Sequence, residues 1–145
     1  MSYNTTTKTT FGFYIDKSDS ISLLHNTVII KGYQDNTRGL YIKEDSYGIN
    51  FKNNLIALNS TGKGSHYGIQ IIDSISKFES DYNNIYINTN NNNGQYASFT
   101  GRGVINTLED WQLLDSLSYG QNSFSLDPEF ISSSDLTPRA DFLNN

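Results

Sequence analysis

A chain of 145 residues with 36% apolar content, below the usual globular share, cannot fill one wide core, although a narrow core repeated along an axis needs less. Ten basic against 15 acidic residues give a formal charge of −5, which argues against nucleic acid and offers no hold on an acidic polysaccharide unless calcium or a local basic patch intervenes. The absence of cysteine excludes a disulfide frame and a thiolate metal site, and there is no run of about 18 apolar residues to span a membrane.

Asparagine occurs 18 times and glycine 11 times, against 2 prolines. Asn and Gly tolerate left-handed backbone and so suit tight turns. Many turns with little proline favour a regular all-β object. Residues 1–10 are polar and threonine-rich and read as a loose lead-in, without the apolar stretch of a signal peptide. A repeat array needs capped ends, and the first repeat begins almost at once, so the chain is expected to be a piece of a longer one.

Three matching stretches then follow: Gly12-Phe13-Tyr14-Ile15, Gly39-Leu40-Tyr41-Ile42 and Gly68-Ile69-Gln70-Ile71. Each is followed by an asparagine and a short apolar strand: Asn26 before Val28 and Ile30, Asn54 before Ile56 and Leu58, Asn83 before Ile85 and Ile87. The glycines are 27 and 29 residues apart and the asparagines 28 and 29. Two markers drifting together define an internal repeat. A middle strand precedes each asparagine, with Ile21, Ile49 and Phe78 five residues before it and Leu23, Phe51 and Ser80 three before it. Each repeat thus carries three short strands, which is one turn of a three-sided coil. Equivalent strands of successive coils should pair in parallel about 4.8 Å apart, with like side chains in columns. The intervals are too short and aperiodic for β-α-β units. Stacked amides of Asn26, Asn54 and Asn83 should form a ladder at one corner.

Strand alternation turns Phe13 and Ile15 inward and Tyr14 outward. Outward columns are therefore expected at Tyr14, Tyr41 and Gln70, then at Asp16, Lys43 and Ile72, with Lys17, Glu44 and Asp73 in the turn beyond. The third turn of each coil spans 32–38, 59–67 and 88–96, and should carry Tyr33, Arg38, Lys63, His66, Tyr67 and Tyr96 on one side of the stack.

The repeat decays near Gly94, and Phe99 belongs to a partial fourth coil. Thr107 is a good N-cap, with Asp110 three residues on. Leu108, Trp111 and Leu114 share one face, flanked by Leu113 and Leu117, and Gly120 can end this helix. Its apolar face should cover the open end of the stack, with Trp111 as anchor. A last strand over Asn122–Leu126 precedes Asp127-Pro128, and Phe130, Leu136, Pro138, Phe142 and Leu143 are spaced to anchor an irregular tail. The organisation expected is a single domain over 1–145, with coils over 11–100 and helix, final strand and tail over 101–145.

The Gly-x-Tyr-Ile and Asn-x-Ile-x-Ile repeats, with Thr107–Trp111 and Asn122–Phe130 after them, resemble right-handed parallel β-helix proteins of the pectate-lyase-like class over about residues 11–138. The resemblance implies an all-β, right-handed parallel β-helix of about three to four coils with a short C-terminal capping helix. It also implies the C-terminal part of a bacterial secreted or cell-surface protein, set against the rest of a longer β-helix chain. Members include polysaccharide lyases, hydrolases and epimerases as well as adhesins, so the fold does not fix the activity.

Enzymes of this class carry acids, bases and calcium ligands on outward strand positions. The weak catalytic candidates here are Asp16, Lys43, Glu44, Asp73 and His66. A calcium site would need several converging carboxylates, and Glu44, Asp45 and Asp73 form no dense acidic motif. A hydrolase would need two positioned carboxylates, for which Asp16, Glu44 and Asp73 are scattered options. Alternating charge on a solvated face accounts for the same residues. His25 reads as an exposed turn residue and His66 as a solvated loop histidine. No cofactor is expected. The better reading is a non-catalytic, carbohydrate-contacting or structural surface module. Tyr14, Tyr41, Tyr67 and Tyr96 would stack on sugar rings, while Gln70, Arg38 and His66 meet hydroxyls. The rival is a polysaccharide lyase or glycoside hydrolase.

Overall fold

The computed structural model describes residues 8–72, 76–90, 92–114 and 119–140. Asp73, Leu117, Phe142 and Leu143 lie outside them.

The chain winds as a parallel β-solenoid of three full coils. The first holds Thr9–Ile15 (β1), Ser22–Leu24 (β2) and Thr27–Gly32 (β3). The second holds Asn36–Ile42 (β4), Tyr47–Lys52 (β5) and Leu55–Ser60 (β6), and the third His66–Ile71 (β7), Ser76–Asp81 (β8) and Asn84–Thr89 (β9). Gly94–Phe99 (β10) opens a fourth coil, Gly103–Ile105 (β11) turns back on it, and Leu108–Gln112 (α1) follows. Three sheets result, β1-β4-β7-β10-β11, β2-β5-β8 and β3-β6-β9, parallel throughout except for the β10–β11 hairpin. We call them the first, second and third sheets.

Register follows the two sequence markers. Leu40, Ile42, Ile49, Phe51, Ile56, Leu58, Ile69, Ile71 and Ile85 are almost wholly buried and fill the axis. The pairing skips the glycines: Phe11 lies opposite Arg38 and Phe13 opposite Leu40, leaving Gly12 beside Gly39. A Cβ on Gly39 would stand 2.5 Å from the Gly68 carbonyl oxygen and 2.7 Å from Ile56 Cγ2. Gly12 and Gly68 meet Val28 and Ile85 at 2.7 and 2.5 Å in the same way. The first sheet thus approaches the third too closely for any side chain at these positions.

The second marker is the predicted amide ladder. The Asn26 N–H and Nδ2 donate to Asn54 Oδ1 at 3.0 and 2.9 Å, and those of Asn54 donate to Asn83 Oδ1 at 2.9 and 3.2 Å. Asn54 Nδ2 also reaches the carbonyls of Leu23 and Lys52, and Asn83 Nδ2 that of Phe51. His25, Asn53 and Tyr82 precede the ladder with φ of 55°, 56° and 54°, so a left-handed residue makes each corner.

The fourth coil keeps this frame but is filled differently. Phe99 lies on β10, paired with Ile71. Tyr119 bridges Ser80 in the second sheet, Phe124 bridges Asn84 in the third, and Ser123 Oγ takes the ladder position, accepting from the Asn83 N–H at 3.0 Å. The stretch 122–126, expected as a strand, pairs through that single bridge. Side-chain bonds between Asn84 and the Leu126 backbone replace the rest of the ladder.

Thr107 caps α1, its hydroxyl accepting from the Asp110 N–H at 3.1 Å. The helix stops at Gln112 rather than at Gly120, and Leu113 is 83% exposed. Gly120 serves another end: with φ of +66°, it passes over the indole so closely that a Cβ would stand 3.1 Å from Trp111 Cδ1.

Trp111 is fully buried among Phe78, Tyr96 and Tyr119, stacked on the last at 4.8 Å. Trp111→Ala should cost about 3–5 kcal/mol and promote aggregation through the uncovered end. Thermal melting with light scattering checks this, and wild-type tryptophan fluorescence should resist aqueous quenchers. Asn54→Ala should cost on the order of 2–4 kcal/mol in urea unfolding, because each buried polar group left unpaired costs about 1–3 kcal/mol. Asn26→Ala, at the outer rung, should cost less.

Candidate functional site

Strands β1, β4, β7 and β10 start two or three residues ahead of the repeat glycine or its equivalent. Arg38, His66, Tyr67 and Tyr96 therefore lie in strands and not in loops, which corrects the expectation for all four. The outward columns of the first sheet are Phe11, Arg38, Tyr67 and Gln95, and beside them Tyr14, Tyr41, Gln70 and Ser98.

The strand spacing of about 4.8 Å brings the rings of Phe11, Tyr14 and Tyr41 together. Tyr14 and Tyr41 stack with centroids 5.3 Å apart and 25° between planes. Phe11 closes on Tyr14 edge-on at 5.2 Å and on Tyr41 at 5.1 Å. Tyr14 is 51% exposed and Phe11 37%, so the outer part of this cluster faces water. The repeat pattern does not single out Phe11; the signal for it is its place just before the glycine, as with Arg38 and Tyr67. Gln95 and Ser98 were missed because the repeat markers fade after Gly68.

Arg38 is buried beside this cluster, its guanidinium 4.6 Å over the Tyr67 ring. Nε donates to Gln70 Oε1, one terminal nitrogen to the carbonyls of Thr37 and Ser65 at 2.8 and 2.6 Å, and the other to Ser65 Oγ at 3.2 Å. Burial pushes Arg38 below its ordinary value, but a guanidinium stays charged at any physiological pH.

At the far end of β1 and β4, Lys43 Nζ lies 3.4 Å from Asp16 Oδ2, and the Tyr14 hydroxyl reaches the same oxygen at 3.5 Å. The Asp16 hydrogen bond holds the Lys43 ammonium above its ordinary value. Glu44 lies one residue on, its carbonyl accepting from the Lys17 N–H at 3.1 Å. The fifth catalytic candidate, Asp73, is outside the described residues. Among the described residues, no three His, Asp or Glu side chains gather closely enough to hold a metal ion.

Two expected ligand contacts are interior. Tyr96 stands opposite Gly68, in the glycine column, and points inward to Trp111 at 6.2 Å. In the fourth coil the third sheet is joined through the Phe124–Asn84 bridge, and the Tyr96 ring takes the place in the column that glycines hold elsewhere. Burial pushes its phenol far up, so it stays neutral. His66 has no exposed surface. Its Nδ1 lies 2.9 Å from Thr37 Oγ1 and its Nε2 3.3 Å from the Gly62 carbonyl. A carbonyl only accepts, so Nε2 carries the proton and Nδ1 accepts from the threonine. His25, by contrast, is an exposed corner residue as expected.

No family model, curated protein or solved structure matches this chain.

Burial, reinforced by the charge of Arg38, holds His66 below its ordinary value against the pull of the Gly62 carbonyl. The unfolded chain therefore binds more protons, and stability rises with pH across the window. The contribution is complete above about 6.5, the unfolded value, and is lost as pH falls towards the folded one. Melting temperature should drop between pH 7.5 and 5.5, and His66→Gln should show a smaller drop over the same interval.

Proposed function

We propose that the protein is a non-catalytic surface module that binds carbohydrate along the outward face of the first sheet. The observation that carries this reading is the half-exposed cluster of Phe11, Tyr14 and Tyr41, continued by Tyr67 and by the amides of Gln70 and Gln95. Aromatic rings offer flat apolar faces to the C–H faces of sugar rings, and the neighbouring amides and hydroxyls suit sugar hydroxyls. The likeness of the repeats to pectate-lyase-like β-helix proteins supports a secreted or cell-surface setting. The competing reading is a polysaccharide lyase or hydrolase. On this face Asp16 and Lys43 meet as an ion pair, with the second Asp16 oxygen buried and without a partner.

Affinity electrophoresis against a panel of neutral and acidic polysaccharides tests the proposal. Retardation is expected for at least one glycan, with no new reducing or unsaturated ends released from it. Tyr14→Ala and Tyr41→Ala should each weaken binding about tenfold, or ~1.4 kcal/mol, with the fold retained by circular dichroism. No retardation across the panel, or retardation indifferent to both substitutions, overturns it.

A further inference from the structure

We propose that this face selects a neutral glycan, one whose pyranose rings carry equatorial hydroxyls, and rejects polyuronates. The inference rests on the carbohydrate-binding reading above and narrows its ligand class.

The buried cation of the face is already committed. A guanidinium has five N–H groups. Four of those on Arg38 donate to Gln70, Thr37 and Ser65, the last taking two. One N–H remains, and the bidentate grip on a carboxylate needs two side by side. Withdrawing a bond from Thr37 or Ser65 would strip a backbone carbonyl or hydroxyl of its donor beneath the Tyr67 ring. Lys43 is paired with Asp16 at 3.4 Å, so the Asp16 charge offsets the attraction it offers an incoming carboxylate. Lys17 stands in the next turn against Glu44, their backbones hydrogen-bonded. Asp16, Lys17, Lys43 and Glu44 sum to zero charge at this end of the sheet, on a chain whose formal charge is already −5. A polyanion gains no net attraction here and meets a repulsive long-range field.

The exposed groups favour an uncharged ring. Equatorial hydroxyls leave both faces of the pyranose covered by axial C–H bonds. That apolar surface fits the exposed rings of Phe11 and Tyr14, which could not desolvate a charge without cost.

The test is calorimetric titration of the whole chain with two probes of equal length, a neutral β-1,4-linked glucan oligosaccharide and an oligogalacturonate, at low and high salt. The neutral probe should bind at least tenfold tighter, with little salt dependence, and Tyr14→Ala should abolish most of that binding. Equal or tighter binding of the oligogalacturonate, weakening with salt, overturns this inference and leaves the carbohydrate-binding reading standing. Binding of neither probe, together with no retardation on the wider panel, overturns both.

Discussion

The close approach of two sheets at the glycine column is the constraint on which this structure depends. Where a Cβ at Gly39 would lie 2.5 Å from one backbone oxygen and 2.7 Å from a core methyl, no other residue fits without displacing a neighbouring coil. The approach makes each coil narrow. A narrow coil needs only a few inward residues per strand, so a chain with 36% apolar content can still fill its axis completely. The asparagine ladder then fixes the opposite corner. It supplies acceptors to the backbone N–H groups at the bend and donors to the carbonyls beside it, groups that a buried corner cannot leave to water.

Because both markers recur on nearly the same period, the three-sheet frame and most inward columns were legible in the sequence. So was the helix cap at Thr107, which depends on local chemistry alone. What escaped was decided by distant contacts. His66 looked like a polar loop residue, but it sits on a strand where Thr37 from the coil before and Gly62 from its own corner satisfy both ring nitrogens. Tyr96 looked like the neighbour of Tyr67, but the column that skips Gly12, Gly39 and Gly68 turns it inward. Arg38 looked free, although Ser65, 27 residues away, accepts two of its hydrogen bonds. The helix outran its real end in the sequence reading because Gly120, an apt terminator, is instead required by the indole it crosses.

The outward face of the first sheet shows how a solenoid builds a surface by repetition and then departs from it. Position by position, Tyr14 and Tyr41 keep one chemistry, and Gln70 and Ser98 change it. The result runs from aromatic and exposed at the first coil to polar and more enclosed at the fourth. The charges at one end sum to zero, with Asp16 paired to Lys43, and the buried Arg38 is consumed by its own scaffold, so the gradient is one of polarity and not of charge.

Tyr96 ends the run of glycines in this column. A coil can be laid over another only if the residue in this column has no side chain, since the third strand of the coil must pass within contact of it. Gly12, Gly39 and Gly68 each grant that passage, whereas Tyr96 fills the column with a ring, and the chain runs through a hairpin and helix before Phe124 returns to the third sheet. A repeat gained or lost between Gly12 and Gly68 would lengthen or shorten the rod by one rung while leaving the terminus that begins at Tyr96 intact. Such a fold can change its reach by duplication without having to rebuild its cap.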